Sequence, residues 1–165
     1  MRDQRAACVV IDIDGVVADV RHRLHFLDRK PKDWQGFFAA ATNDGLLQVG
    51  ADFARTASSS HLVVYLTGRP EHLRKTTQAW LTEHGLPEGT LLMRRDGDHR
   101  PAVMVKLSHL RRLQRDVAVD LVVDDDPLVI EAVEEAGFAV RHAGWMPRDA
   151  DDNVLREAQE SDGQT

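Results

Sequence analysis

The sequence holds a single cysteine, Cys8, inside an apolar run. Neither a disulfide framework nor a cysteine-based zinc site can be built from it. Long apolar stretches are missing too. The first run, AACVVID, is short and ends in carboxylates, which fits neither a membrane span nor a signal peptide. A soluble protein in a reducing, cytoplasmic setting is the expectation. No GxxxxGK[ST] phosphate loop occurs, which excludes a P-loop kinase. Positive charge is also in deficit, with 21 Lys and Arg against 27 Asp and Glu and a net charge of −6. That balance weighs against broad, non-specific binding to nucleic acid, which needs many cationic contacts to phosphate.

What is present suffices for one domain: 165 residues, 42% of them apolar, bury a proper core. The charge is unevenly placed. Between Leu91 and Arg115 stand Arg94, Arg95, Arg100, Lys106, Arg111, Arg112 and Arg115, against only Asp96 and Asp98. From Asp149 to Thr165 the balance is acidic and no aromatic residue occurs, so the expected organisation is a domain over 1–148 and a disordered tail over 149–165.

Residues 6–12, 61–66 and 119–123 are short, β-branched apolar runs, each followed by Asp, Gly or Thr. They read as buried parallel strands. Helical patterns occupy 45–57, 70–84, 102–115 and 127–136. Pro70 and Pro127 are placed to open helices that Gly85 and Gly137 close. A weaker strand over 138–142 ends the series. Strands alternating with helices predict an α/β fold, a three-layer, doubly wound, Rossmann-like parallel sheet.

In such a sheet ligands gather at the carboxyl ends of the strands. The first strand leaves as Asp12, Ile13, Asp14, Gly15. Residues two apart in extended chain face the same side, which aims both carboxylates into one cleft, and Gly15 lets the backbone turn. Two such charges call for a cation or a shared proton. Alone, the motif reads equally well as a capped turn. A calcium loop does not fit, because Val17 and Arg23 stand where Gly and Glu are required. The second strand leaves as Thr67, Gly68, Arg69, Pro70, a hydroxyl and free amides at an expected helix start, hence either a phosphate seat or a plain cap. The third leaves as Asp124, Asp125, Asp126, Pro127. Asp126 takes the N-cap, and the remaining pair suits a hard cation such as magnesium. Lys106 lies at the edge of an apolar stripe through Val103, Leu107, Leu110 and Leu113. By itself it reads as a lysine snorkelling to solvent. Trp34, Phe37, Phe38 and Ala41 share a helical face that reads as core rather than as a base-stacking platform. The pair His22 and His25 lacks a third ligand.

The set DIDG, TGR, Lys106 and Asp124–Asp125, in this order over residues 8 to about 142, resembles the haloacid dehalogenase (HAD) superfamily. The resemblance implies that Asp12 attacks phosphorus, that Asp14 protonates the leaving oxygen and later activates water, and that Thr67 and Lys106 hold the phosphoryl oxygens. It also implies Mg²⁺ on Asp12, the carbonyl of Asp14, and Asp124 or Asp125. Val16 departs from the Thr usual at that place in the family. Only about 50 residues separate Asp14 from Thr67, which leaves room for a minimal cap and so an open site. Arg23, TGR, Arg94, Gly97, Asp98, Arg100 and Lys106 together resemble the 3′-phosphatase domain of bacteriophage-type polynucleotide kinase. That likeness implies active-site roles for Arg23, Arg69 and Asp98 and adds Gly68 and Arg100 to the substrate-binding set. For Arg94, Arg95 and Arg100 a solvated basic face is the alternative. The expectation is a phosphomonoester hydrolase acting through an aspartyl-phosphate, with a phosphorylated nucleic-acid end or a nucleotide as substrate. A small-molecule phosphatase and a non-catalytic phosphate-binding module are the competing readings.

Overall fold

A computed structural model describes residues 6–147 together with 154, 155, 157 and 158. The chain starts in β1 (Ala7–Ile11) and passes through a small insert: β2 (Ala18–Asp19), a 3₁₀ turn (Arg21–Phe26), α1 (Trp34–Ala39), a second 3₁₀ turn (Ala40–Asn43) and β3 (Gly45–Leu46). Then come α2 (Gln48–Ala57), β4 (Leu62–Pro70), a 3₁₀ turn (Glu71–Leu73) and α3 (Arg74–Glu83). The last elements are β5 (Thr90–Arg94), α4 (Ala102–Leu113), β6 (Ala118–Asp124), α5 (Pro127–Glu135) and β7 (Val140–His142). No helix among the described residues is long and apolar enough to cross a membrane.

Five strands form one parallel sheet in the order β5-β4-β1-β6-β7. The chain leaves central β1 for β4, moves outward to β5, and returns to the other side of β1 as β6. Strand order therefore reverses around the carboxyl end of β1, where such sheets open a crevice. Alternation along the strands sorts the core. Val9, Ile11, Val63 and Tyr65 pack with Phe37, Ala51, Trp80 and Leu81 on one face. Cys8, Val10, Val64 and Leu66 pack with Leu110, Val129 and Val133 on the other. Burial pushes the Cys8 thiol up to about 11, with Asp120 adding to the effect, so this cysteine is a small apolar residue rather than a nucleophile.

Several expectations need correcting. Pro70 does not open a helix: it ends β4, in extended conformation, because the ladder to β5 resumes at Pro70 opposite Arg94 after a shift beyond Leu66. The helix begins only at Arg74. Residues 45–47 belong to β3 and its exit rather than to α2, since Leu46 pairs with Ala18. Strand β5, TLLMR, had no counterpart in the sequence reading; it has one β-branched residue and lies at the sheet edge. Pro127 does open α5, with Asp126 accepting from the Leu128 amide at 2.9 Å. The expected disordered tail lies mostly outside the described residues. Of the four that are described, all are helical, and Leu155 and Ala158 are buried against the first core face.

Leu110 is fully buried between α4 and the sheet. Leu110→Ala is expected to lower unfolding free energy by about 2–5 kcal/mol, read as a drop in urea midpoint at unchanged slope.

Candidate active site

Each strand that flanks the crevice delivers a polar group at its carboxyl end. Asp12 follows β1 and stays in the ladder through its amide, which donates to the Val123 carbonyl at 3.0 Å. The chain then turns tightly: the amides of Val16, Val17 and Ala18 all donate to the Ile13 carbonyl. Gly15 sits at φ +80°, and a Cβ there would lie 2.1 Å from Asp125 Oδ2. Only glycine fits that position, both for its dihedral and for its contact with the third acidic motif.

Lys106 does not snorkel. Its side chain is 6% exposed, and Nζ lies 3.0 Å from Asp12 Oδ2 and 2.6 Å from Asp124 Oδ2. The other oxygens of the two carboxylates are held by backbone: Asp12 Oδ1 accepts from the Ile13 amide at 2.8 Å, and Asp124 Oδ1 from the Asp126 amide at 3.0 Å. Burial, reinforced by Asp124, Asp125 and Asp14, pushes the Asp12 carboxyl well above the ordinary range, with Lys106 opposing. Oxygens of Asp12, Asp124 and Asp125 lie within 4.8 Å of one another.

Asp14 faces the other way. Its Oδ1 takes Arg69 Nε at 3.0 Å, Arg69 Nη2, and Arg23 Nη2 at 3.1 Å. Burial alone would raise this carboxyl, but the Arg69 and Arg23 guanidiniums outweigh burial and hold it below the ordinary range. Both arginines are buried, and both also bind Asp44: Arg23 through Nε at 2.7 Å and Nη2 at 2.8 Å, Arg69 through Nη2 at 2.8 Å. Arg23 lies 4.2 Å over the Phe37 ring, so this aromatic face supports a cation rather than a base. Asp44 is fixed in turn by His22 Nε2 at 2.8 Å and by Trp80 Nε1, which donates to its carbonyl at 2.9 Å.

Asp44 was absent from the sequence reading. It sits in Thr42-Asn43-Asp44-Gly45, which has the look of an ordinary turn. The one available signal is the pair Arg23 and Arg69, to which the resemblance gives active-site roles: guanidiniums buried in such a site need carboxylate acceptors.

Thr67 is buried at the far end of β4, its Oγ1 accepting from the Arg69 amide at 3.1 Å. No helix begins beside it, so the expected helix-terminus phosphate seat is replaced by an extended strand end. The Gly68 carbonyl accepts from Arg94 Nε at 3.2 Å. Asp98 and Arg100 pair with each other, Nη2 to Oδ2 at 2.7 Å, and make no hydrogen bond or ion pair to the Asp12 or Asp14 groups among the described residues.

The family model for the polynucleotide kinase PNKP phosphatase domain matches residues 6–143. No curated protein sequence matches this chain. Among solved structures, a chain of the Pnkp1/Rnl/Hen1 RNA repair complex superposes with a TM-score of 0.70 at 22% identity, over 85% of this chain and 43% of that one. The protein thus spans less than half the length of that relative. The class C acid phosphatase from Bacillus anthracis follows at 0.63 and 16%, over 97% and 82%. A HAD family enzyme from Bacteroides thetaiotaomicron, in complex with magnesium and inorganic phosphate, gives 0.53 and 11%, over 89% and 98%. At these identities the likeness shows the shared fold.

Asp44→Asn keeps the shape and removes the charge that two buried guanidiniums share. It is expected to lower stability by about 3–5 kcal/mol. Asp19→Asn, which breaks a surface pair with Arg21, should stay within about 1 kcal/mol. Urea unfolding of both variants checks the contrast.

Proposed function

The chain belongs to the polynucleotide kinase PNKP phosphatase domain family and is a HAD-type phosphatase, and on that premise we propose that it is a magnesium-dependent polynucleotide 3′-phosphatase with Asp12 as nucleophile. The observation that carries this reading is the fixed Asp12 carboxylate, one oxygen on Lys106, within 4.8 Å of carboxylate oxygens of Asp124 and Asp125.

The donor set suits a hard cation. The touching groups comprise five carboxylates, Asp12, Asp14, Asp44, Asp124 and Asp125, against Arg23, Arg69 and Lys106. Carboxylates outnumber cations there, and all-oxygen donors suit a hard divalent ion such as magnesium. Asp12, Asp124 and Asp125 would hold it through side chains and Asp14 through its carbonyl, since the Asp14 carboxylate is turned to the arginines. Bound there, magnesium would keep Asp12 ionised and screen it from an incoming phosphate.

The residues then divide the work. Asp12 Oδ attacks phosphorus, the bond from phosphorus to the ester oxygen breaks, and the leaving oxygen takes a proton from Asp14. Water then attacks the aspartyl-phosphate, gives its proton to Asp14, and frees Asp12 and inorganic phosphate. Asp14 is ionised while Arg69 and Arg23 hold it, which suits the second half. An arriving phosphate brings negative charge to the same guanidiniums, loosens their hold and raises the proton affinity of Asp14, which suits the first. Thr67 and Lys106 are positioned to contact phosphoryl oxygens. The RNA repair complex that contains the structural relative supports a nucleic-acid end as substrate, and the small insert between β1 and α2, in place of a large lid, leaves room for a polymer.

Phosphate release from 3′-phosphorylated oligonucleotides, mononucleotides and sugar phosphates tests this. Release should require magnesium, favour the oligonucleotides, and fall to background in Asp12→Asn. Faster release from mononucleotides would reassign the substrate, and full activity in Asp12→Asn would remove the mechanism. Magnesium at about 100 times its dissociation constant should add about 2.7 kcal/mol of stability. A thermal melt should lose that gain in Asp125→Asn.

A further inference from the structure

A groove of about 430 Å³ lies between the loop that follows β5 and the face of α4 that carries Val105, Ser108, His109 and Arg112. Its lining is polar and basic: Arg95 and Arg100 come from the loop, Ser108, His109 and Arg112 from the helix. The two acids there are already engaged. Asp98 takes the Arg100 guanidinium, and Asp96 takes the His72 ring at 2.7 Å and its amide at 3.2 Å. Arg95 and Arg112 are exposed and bind no carboxylate among the described residues.

The groove is built in place rather than draped over the surface. Buried Arg94 ties the loop to the active-site strand end, donating to the carbonyls of Gly68 at 3.2 Å, Asp98 at 3.0 Å and Arg100 at 2.7 Å. His109 is pinned to β5 through Nε2 and the Met93 carbonyl at 3.0 Å. Burial, together with Arg112 and Arg95 beside it, keeps its imidazole below the usual pKa, so it offers a neutral edge rather than a third charge.

We infer that this groove holds the phosphodiester backbone of a nucleic-acid strand whose 3′ end enters the site at Lys106. The inference rests on the 3′-phosphatase reading and deepens it. No Phe, Tyr or Trp lines the groove, so it lacks a stacking platform and reads charge rather than base identity. Lys106 and Arg112 are six residues apart on one helix, a rise of about 9 Å. Arg112 thus stands behind the 3′ end, along the part of the strand that the site itself does not hold.

The test measures binding of single-stranded RNA and DNA oligonucleotides that end in a 3′-hydroxyl and so carry no scissile phosphate, by fluorescence anisotropy over a salt series. Arg95→Gln/Arg112→Gln is expected to weaken binding about tenfold and to cut the log–log salt slope by about 1.4, or 0.7 per single-strand contact. It should leave release from a mononucleoside 3′-phosphate unchanged. Arg111→Gln/Arg115→Gln, an equal charge loss at residues that do not line the groove, should weaken binding clearly less. Unchanged binding in the first variant, or equal weakening in both, overturns the groove. Groove-dependent binding without release from any 3′-phosphorylated substrate upholds the groove and removes the proposed activity.

Discussion

Everything at this site follows from an imbalance of buried charge. Four buried carboxylates, Asp12, Asp14, Asp44 and Asp124, converge on three buried cations, Lys106, Arg23 and Arg69, with half-buried Asp125 beside them, and burying a charge without a partner is costly. The arrangement divides in two. Lys106 serves Asp12 and Asp124, and the arginine pair serves Asp14 and Asp44. This division gives two aspartates, two residues apart, opposite tendencies: Asp12 is pushed up by burial and by its acidic neighbours, Asp14 is held down by guanidiniums. On the acidic side of the site, oxygens of Asp12, Asp124 and Asp125 lie close enough together that they could hold a metal ion.

The sheet explains why these groups meet. With β1 central, the ends of β4 and β6 stand on either side of it, so Thr67, Asp12 and Asp124 arrive from three adjacent strands. Helix α4 then packs across the second face and inserts Lys106. The insert between β1 and α2 contributes from the opposite side. Its two ends are clasped by the pairing of β2 with β3, which sets Arg23 and Asp44 together at the crevice, backed by Phe37 and Trp80. A segment too short to form a separate lid therefore builds half of the charge network.

Much of this was legible in the sequence because it depends on local chemistry. DIDG had to place two carboxylates on a turn that needs glycine, Asp126 before Pro127 had to be a cap, and a set of weak motifs in fixed order carried the superfamily resemblance. The rest depends on distance. Nothing near Asp44 distinguishes it from a turn residue; its importance arises from Arg23 and Arg69, which lie 21 and 25 residues away. Strand β5 lacks β-branched character and gains its conformation from pairing with β4. Pro70 carries a helix-start signal that the same pairing overrides. Lys106 reads as a snorkelling side chain until Asp12 and Asp124 are seen to converge on it. Local signals thus point to the groups that meet at the crevice, and tertiary contacts determine what holds them.

The central claim is that Asp12 Oδ forms a bond to phosphorus. The most direct measurement is acid quenching of a single turnover on a 3′-phosphorylated oligonucleotide, followed by peptide mapping by mass spectrometry. The account requires transient phosphate on the peptide that contains Asp12, at its side chain, and none in Asp12→Asn. Turnover with no phosphorylated protein at any quench time, or phosphate on a different residue, would contradict it.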